Sequence, residues 1–229
     1  MGEGMIETYA APGHLARAAA EATAEALAAA ISERGRASLV GTGGRSPAPV
    51  YDLLAANDAL AWDKVAVTLS DDRFVPPDSP DSNERLVRER LLVGAAARAA
   101  FTPISVPAAS VEAAAEAVEV GVRALAPYDV MLLGMGDDGH VASLIPGSPV
   151  LDQGMDPAGT RFCLGIPAGV GSPPLARVTM TMPALLQARL ILVLIAGEVK
   201  KHVVEGRSGL PVHALLDQAR APVRILWTP

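Results

Sequence analysis

The sequence predicts an α/β protein with a three-layer, doubly wound architecture, in which helices cover both faces of a mostly parallel β-sheet. Apolar runs alternate with helical patterns along all 229 residues, and this alternation is typical of βαβ units. Several of the runs are continuous stretches of valine, leucine and isoleucine. Such runs indicate strands that are buried on both faces, as in a parallel sheet.

Local patterns define the predicted elements in chain order. Seven apolar runs predict strands at residues 37–40, 65–69, 130–133, 161–166, 177–181, 190–195 and 223–227. Six helical patterns predict helices at residues 12–34, 47–55, 82–92, 110–125, 198–205 and 211–218. The second helix is expected to start with a Ser46 cap followed by Pro47. Asp81 and Glu84 resemble a capping box for the third helix, and Ser110 is expected to cap the fourth.

Composition and charge limit the classes of function. No internal repeat, long linker or block of like charge interrupts the chain, so we expect a single domain over residues 1–229. The formal net charge is −6, and an acidic chain has no basic field that attracts nucleic acid, so we expect no nucleic-acid partner. An anionic ligand would need a locally basic site. The sequence gives no indication of the oligomeric state.

The cysteine content and the apolar segments indicate the cellular compartment in which we expect the protein. The single cysteine, Cys163, excludes an intramolecular disulfide and favours a reducing compartment. It lies in an apolar run and is expected to be a small buried hydrophobe. The alanine-rich segment 15–31 is interrupted by Arg17, Glu21 and Glu25, and it is shorter than the roughly 20 apolar residues that a membrane span needs. We therefore expect a cytoplasmic enzyme that does not associate with a membrane.

Ligands of doubly wound sheets bind beyond the carboxyl ends of the strands, so the loops directly after strands are the candidate sites. The loop 41–47 is rich in glycine and precedes a helix, whose N–H groups and positive dipole end favour an anion. Its candidate phosphate-binding residues are Gly43, Gly44, Arg45 and Ser46. The loop lacks the lysine and the spacing of a P-loop and does not match the dinucleotide fingerprint, and a plain strand–helix turn is the alternative.

Two further loops carry ionisable side chains. Loop 70–76 places Asp71, Asp72 and Arg73 at the exit of a strand, where they either meet a ligand or form a solvated loop with a local ion pair. Loop 134–140 ends in His140, the side-chain type best suited to act as a base near neutral pH. Asp138 is close enough in sequence to orient the imidazole. A turn with a histidine at a helix start is the alternative.

Two cations late in the chain are also candidates. Arg177 opens a strand and Lys200 follows another, so each can either pair with a phosphate or remain a surface charge. The other histidines, His14, His202 and His213, lie within predicted helices and are expected to be structural. No spacing among histidine, cysteine and carboxylate residues indicates a metal site.

Together these segments resemble the 6-phosphogluconolactonase family of the glucosamine/galactosamine-6-phosphate isomerase superfamily. Residues 43–47 are similar to its Ser-Gly-Gly-Ser-Thr-Pro loop, and residues 71–83 to its Asp-Glu-Arg, Val-Pro and Ser-Asn segment. Residues 133–147 are close to its strongest signature, which is specific. Residues 177–181 and 197–200 match its late segments, and all matches occur in the family's order.

The resemblance implies a modified Rossmann-like domain that binds no organic cofactor. It implies hydrolysis of 6-phospho-D-glucono-1,5-lactone in the oxidative pentose phosphate pathway. By position, His140 would activate water with Asp138 beside it, and Arg73 would face the lactone. Gly44, Ser46, Arg177 and Lys200 would hold the phosphate, and Gly43, Arg45 and Asp71 are further candidates for binding the substrate.

The chain departs from the family pattern at three positions. Two other functions are alternatives to lactone hydrolysis. Arg45 replaces a small hydroxyl residue, Ser46 replaces threonine and Asp72 replaces glutamate, which leaves the phosphate contacts open. A glucosamine-6-phosphate isomerase/deaminase would carry an acid shortly after its histidine, and residues 141–145 contain none. A sugar-phosphate-sensing domain of a transcriptional regulator would carry a DNA-binding extension, for which residues 1–11 are too short and not basic. Ser143 lies in no nucleophile-elbow pattern and is expected to be structural.

Overall fold

The computed structural model describes residues 6–206 and 209–229. Its strands are β1 (Ile6–Thr8), β2 (Ala37–Gly41), β3 (Val65–Leu69), β4 (Asp71–Arg73), β5 (Ala100–Phe101), β6 (Val130–Gly134), β7 (Cys163–Ile166), β8 (Arg177–Met180), β9 (Ile191–Ala196) and β10 (Val223–Thr228). Its α-helices are α1 (Pro12–Arg34), α2 (Pro47–Ala55), α3 (Asn83–Arg90), α4 (Val111–Ala124), α5 (Leu151–Met155), α6 (Met182–Leu185), α7 (Glu198–Glu205) and α8 (Pro211–Gln218). Short 3₁₀ turns lie at Trp62–Lys64 and Gly94–Arg98.

Seven strands form the central sheet in the order β1-β10-β9-β6-β2-β3-β5. Every neighbouring pair in it is parallel, which confirms the predicted mostly parallel α/β fold. From β2 the chain adds strands outward through β3 and β5, and from β6 it adds them in the opposite direction. The strand order therefore reverses between β2 and β6, and ligands of such sheets bind at this switch point.

A second sheet of three antiparallel strands, β4-β8-β7, was not predicted. Runs 161–166 and 177–181 were predicted as strands with no stated partner, and as β7 and β8 they pair antiparallel with each other, outside the parallel sheet. The connection between them is too short for the dozen or more residues of a parallel crossover. The sequence analysis also treated 70–76 as a loop, whereas β4 pairs with β8 one residue after β3 ends.

Helix boundaries agree with the sequence patterns better than helix caps do. The ranges of α1, α2, α7 and α8 are those predicted, and Ser110 caps α4 by accepting a hydrogen bond from Ala113 N–H at 3.2 Å. Ser46 does not cap α2, because its own backbone is already helical at φ −67° and ψ −38°. The predicted pairing of Asp81 with Glu84 is also wrong. Ser82 caps α3 instead, and its hydroxyl accepts from Arg85 N–H at 3.2 Å.

One hydrophobic cluster joins the elements of both sheets. It is made mainly of alanine, valine and leucine, as the aromatic content of 3% requires. Its largest fully buried side chains include Trp62, Tyr51 and Tyr128. Cys163 is buried as predicted, and burial raises the pKa of its thiol to about 12. No helix in the described ranges is long and apolar enough to cross a membrane.

Candidate active site

A polar pocket of about 240 Å³ opens beyond the carboxyl ends of the central strands, beside the switch point between β2 and β6. Loops that follow β2, β6 and β9 meet there with β4 and β8 of the second sheet. The lining residues are Thr42, Gly43, Gly44, Arg45, Ser46, Pro47, Asp71, Arg73, Asn83, Gly134, Met135, Gly136, His140, Ala142, Ser172, Arg177, Leu194 and Lys200. Every predicted site residue except Asp138 is in this set, so the fold brings together segments that are far apart in sequence.

The glycine-rich loop after β2 is held from below by a buried tyrosine. The Tyr51 hydroxyl accepts from Thr42 N–H and donates to Thr42 C=O, both at 2.7 Å. Burial raises the pKa of Tyr51, so the hydroxyl stays neutral and keeps both bonds. A Cβ at Gly43 would lie 1.9 Å from Asn83 Oδ1, so no larger residue fits beside Asn83. The loop is therefore fixed from both sides before it reaches α2.

Arg73 is held in the pocket by the start of α3. Its Nη1 donates to Asn83 Oδ1 at 2.5 Å and to the Asp81 carbonyl at 3.2 Å. Asn83 in turn donates from Nδ2 to the Asp71 carbonyl at 2.9 Å. The local ion pair that the sequence left open as an alternative does not form, because Arg73 contacts neutral oxygens. Its guanidinium therefore lines the pocket without a carboxylate partner.

Asp72 binds the start of α3, whereas its neighbours in β4, Asp71 and Arg73, line the pocket. Its carboxylate is buried and accepts hydrogen bonds from the backbone N–H groups of Arg73, Asn83 and Glu84 at 2.7, 2.6 and 3.0 Å, and from the Ser82 hydroxyl at 3.0 Å. Burial is the largest influence on this carboxyl and raises the pKa of Asp72, against the effect of those donors. Asp72 therefore anchors α3 to β4 and does not line the pocket.

A buried polar network lies under the floor of the pocket. Asp71 accepts from the Ser143 hydroxyl at 2.6 Å and from the Ser70 hydroxyl at 3.0 Å. Ser143 N–H donates to Thr179 Oγ1 at 3.0 Å, which agrees with the structural role expected for this serine. Arg177 is buried and donates from Nη2 to the Pro173 carbonyl at 2.9 Å. Burial lowers the pKa of Arg177, and the nearby Asp71 carboxylate opposes this effect.

His140 lies in the loop that follows β6 and lines the pocket. Its Nδ1 lies 2.6 Å from Asp138 Oδ1. With Asp138 ionised, Nδ1–H donates to it and the neutral ring keeps its lone pair on Nε2. The ring packs closely on Gly136, where an added Cβ would lie 2.2 Å from His140 Nδ1. Glycine at this position therefore lets the imidazole lie flat against the loop backbone.

The charge of the pocket contrasts with that of the chain. Arg45, Arg73, Arg177 and Lys200 contribute four cationic side chains to the lining, whereas Asp71 contributes the single carboxylate among the described lining residues. The chain as a whole carries a formal charge of −6. A concave site of one sign concentrates ligands of the opposite sign, so the pocket is built for an anion.

Sequence reasoning missed several lining residues. Asn83 was interpreted only as part of a helix start and of a family segment, although it fixes Arg73. Thr42 and Ser172 were not singled out, and the prolines and glycines around Ser172 gave no signal for a contact with the pocket. Among the described residues, no group of three or more histidine, cysteine or acidic side chains is arranged to hold a metal ion.

Fold and pocket together define an α/β enzyme domain for a small anionic substrate. The sequence profile of the family described as glucosamine-6-phosphate isomerases/6-phosphogluconolactonase matches residues 10–227. The chain belongs to this glucosamine-6-phosphate isomerase/6-phosphogluconolactonase family.

Several relatives with at least 30% identity are named 6-phosphogluconolactonase. A 6-phosphogluconolactonase of Caulobacter vibrioides is 46% identical over 224 residues, which cover 97% of this chain and 96% of that protein. A 6-phosphogluconolactonase of Pseudomonas aeruginosa is 42% identical, with coverage of 98% and 94%. The crystal structure of a 6-phosphogluconolactonase from Shewanella baltica has a TM-score of 0.91 at 32% identity and covers 99% of this chain and 98% of its own. The predicted family and fold are therefore confirmed.

Proposed function

We propose that this chain hydrolyses 6-phospho-D-glucono-1,5-lactone to 6-phospho-D-gluconate, with a water molecule activated by His140. The observation that carries the proposal is the His140–Asp138 pair, joined at 2.6 Å, beside a pocket in which cations outnumber carboxylates. The relatives named 6-phosphogluconolactonase support the choice of substrate. Hydrolysis of a ring ester needs a positioned water, a base and a positive group near the carbonyl oxygen.

The phosphate is held at the start of α2 and by the pocket cations. The loop 43–46 offers backbone N–H groups at the positive end of the α2 dipole, an arrangement that favours phosphate. Arg45 and Lys200 also line the pocket. Charge-assisted hydrogen bonds from guanidinium and ammonium groups to phosphate oxygens are among the strongest in proteins. Arg45 adds a cation where the family pattern has a small hydroxyl residue.

His140 acts as the general base. Nδ1–H donates to the Asp138 carboxylate, which fixes the tautomer and leaves Nε2 as the proton acceptor. The water oxygen bonds to the lactone carbonyl carbon while the water proton passes to Nε2. The bond between that carbon and the ring oxygen then breaks, and the protonated His140 gives the proton to the departing ring oxygen, which becomes a hydroxyl group. The new carboxylic acid ionises to solvent, which gives the measurable acid release.

Arg73 stabilises the charge that develops on the carbonyl oxygen. Its guanidinium is held by Asn83 Oδ1 and the Asp81 carbonyl, so it needs little reorganisation during the reaction. A preorganised cation of this kind lowers the barrier because it is placed before charge develops. Asp71 is the single carboxylate among the described lining residues, and it orients substrate hydroxyl groups.

The proposal treats residues 1–229 as one domain in the cytoplasm. The continuous hydrophobic cluster that joins both sheets supports a single domain. The one cysteine of the chain is buried and reduced, which is compatible with a reducing compartment. The substrate is the only partner that the proposal requires.

One experiment separates this function from its two alternatives. Purified protein is mixed with freshly prepared lactone, and acid release is recorded against a protein-free blank because the lactone also hydrolyses spontaneously. The same protein is then given glucosamine 6-phosphate, and ammonia is measured. We expect acid release well above the blank and no ammonia. Ammonia would instead support the deaminase, and binding of sugar phosphate without turnover of either compound would support a sensing domain.

A further inference from the structure

His213 is a buried histidine that the proposed reaction does not use. It is the third residue of α8 and its exposed fraction is 5%. Both ring nitrogens are engaged: Nδ1 accepts from Leu210 N–H at 3.1 Å, and Nε2 donates to the Val203 carbonyl at 2.7 Å. The two partners belong to different segments, so the neutral ring ties the end of α7 to the start of α8.

The hydrogen bond from His213 to α7 lies close in sequence to Lys200, which is proposed to bind the phosphate. Lys200 lines the pocket and precedes Val203 by three residues on the same helix. Three residues are a little less than one helical turn. A shift of α7 at Val203 would therefore move the Lys200 backbone by a similar amount.

The start of α8, which His213 helps to hold, packs against the loop that carries His140. Val212 N–H, in the first turn of α8, donates to the Gly139 carbonyl at 3.0 Å. The Leu210 side chain fills the space over Gly139, where an added Cβ would lie 2.7 Å from Leu210 Cδ1. Gly139 has a φ of +77° and directly precedes His140. The start of α8 thus supports the loop that carries His140.

We infer that His213 is a positioning residue that sets the separation between Lys200 and His140. The inference rests on the proposed function, which places Lys200 on the phosphate and His140 on the water that attacks the carbonyl. The ring of the lactone fixes the distance between these two ends of the substrate. The two protein groups must therefore be held at a matching distance, and a misplacement of about 1 Å can cost about 10²-fold in rate.

Two substitutions at this position test the inference. His213→Leu removes both hydrogen bonds and keeps an apolar side chain, whereas His213→Gln offers an oxygen to Leu210 N–H and an amide N–H to Val203. Glutamine is also the residue that a capping box accepts at the third helical position. We expect His213→Leu to lower kcat/KM about 10- to 100-fold, with kcat reduced and KM raised together, and His213→Gln to restore most of it. His202→Gln, on the exposed side of α7 with 75% of its side chain accessible, is the matched control and should change neither constant.

A second readout does not depend on turnover. The ¹⁵N resonances of the His140 ring report the Nδ1–H bond to Asp138, and they should shift or broaden in His213→Leu but not in His213→Gln. If the wild-type protein has no lactonase activity, the proposed function fails, and these resonances still decide whether His213 positions His140. A folded His213→Leu protein with wild-type kcat, KM and His140 resonances would overturn the inference.

A third variant covers the case in which His213→Leu does not fold. Leu210→Ala removes the packing on Gly139 and leaves both bonds of His213 in place. We expect it to lower kcat, because the His140 loop loses the surface that supports it. Unchanged kinetics and unchanged His140 resonances in this variant would also overturn the inference.

Discussion

The buried Nε atoms of two pocket arginines give the clearest residue-level sign of a ligand. In the described part of the chain, four buried side-chain polar atoms lack a hydrogen-bond partner, and two of them are the Nε atoms of Arg73 and Arg177. An unsatisfied buried donor costs about 1–3 kcal/mol. Both arginines line the pocket, so the oxygens of a bound anion can supply the missing acceptors. The other two atoms, on Thr68 and Thr228, lie outside the pocket.

His140 carries the first prediction at this scale. His140→Asn keeps a similar shape and hydrogen-bonding capacity but provides no base near neutral pH. General-base catalysis is typically worth about 10²–10⁴-fold, so we expect kcat to fall by that order while KM changes little. The measurement is initial acid release from the lactone, corrected for the protein-free blank. The wild-type rate should also fall at acid pH, because a protonated imidazole has no lone pair to accept a proton.

The control for His140 is another histidine of the same chain. His202→Asn, on the exposed side of α7 and away from the lining residues, should leave kcat unchanged. If folded His140→Asn protein retains near-normal kcat, His140 is a structural turn residue. The base would then have to be sought between Asp71 and Asp138, because the carboxylate of Asp72 binds the start of α3.

Adjacent lysines provide a matched pair for the second prediction. Lys200 lines the pocket, whereas Lys201 lies over the Trp227 ring with Nζ 4.4 Å from its centroid. Lys200→Ala should raise KM for the phosphorylated lactone far more than for unphosphorylated gluconolactone, because it removes a cation that pairs with phosphate. Lys201→Ala should affect neither substrate. Equal changes of KM for both lactones in Lys200→Ala would refute a phosphate role.

At the scale of elements, the three-residue strand β4 does much of the positioning. Side chains of a strand alternate between its faces. Asp71 and Arg73 accordingly line the pocket, while Asp72 between them accepts the N–H groups at the start of α3. One short strand therefore supplies two site residues and anchors the helix whose first residue, Asn83, holds Arg73.

The junction of α4 with β7 carries the third prediction. Glu119 accepts from Phe162 N–H at 2.9 Å and from Cys163 N–H at 2.8 Å, and it pairs with Arg123. Burial alone would raise the pKa of Glu119, but these N–H groups and the guanidinium together hold it below its ordinary value of 4.5. A carboxyl with a lowered pKa in the folded state stabilises the fold above its unfolded pKa. That contribution is lost as the pH falls through the folded pKa.

Glu119→Gln should remove this acid-dependent part of the stability. Chemical denaturation between about pH 5 and about pH 3 should show a smaller loss of unfolding free energy in Glu119→Gln than in the wild-type protein. The control is Glu116→Gln, one turn earlier on α4, where the carboxylate is exposed and lies 3.6 Å from Arg161. Parallel pH curves for wild type and Glu119→Gln would contradict the prediction.

At the scale of the whole molecule, topology and charge work together. The strand order reverses between β2 and β6, and the loops after these strands part there to open the pocket. The second sheet supplies β4 and β8 from one side, which brings Arg73 and Arg177 opposite the His140 loop. The cationic lining is set in a chain of net charge −6, so attraction of the anionic substrate is local and should weaken as salt is added.

The fourth prediction concerns metal dependence of the whole enzyme. The proposed steps use only side chains and water, so activity should survive exhaustive treatment with EDTA followed by gel filtration. The measurement is kcat before and after treatment, with the fold checked by circular dichroism. Loss of activity that one divalent ion restores would show that a metal takes part.

The sequence by itself determined the features that depend on neighbouring residues. Helices 12–34, 47–55, 198–205 and 211–218 have the predicted boundaries, because helical periodicity and proline at the first turn are local signals. The signature around His140 likewise predicted a loop that lines the pocket and placed Asp138 near the imidazole. Most predicted site residues line the pocket, because each lies in a short motif directly after a strand.

Only the tertiary structure decided what depends on contacts between distant segments. Three such contacts leave no pattern in the local sequence. They are the pairing of β4 with β8, the packing of Asn83 between Gly43 and Arg73, and the hydrogen bonds of His213 to Val203 and Leu210. Each arises because packing of the sheets and helices brings together groups that are separated along the chain. Hydrophobic periodicity specifies which face of an element is buried, but it does not specify which partner that face will meet.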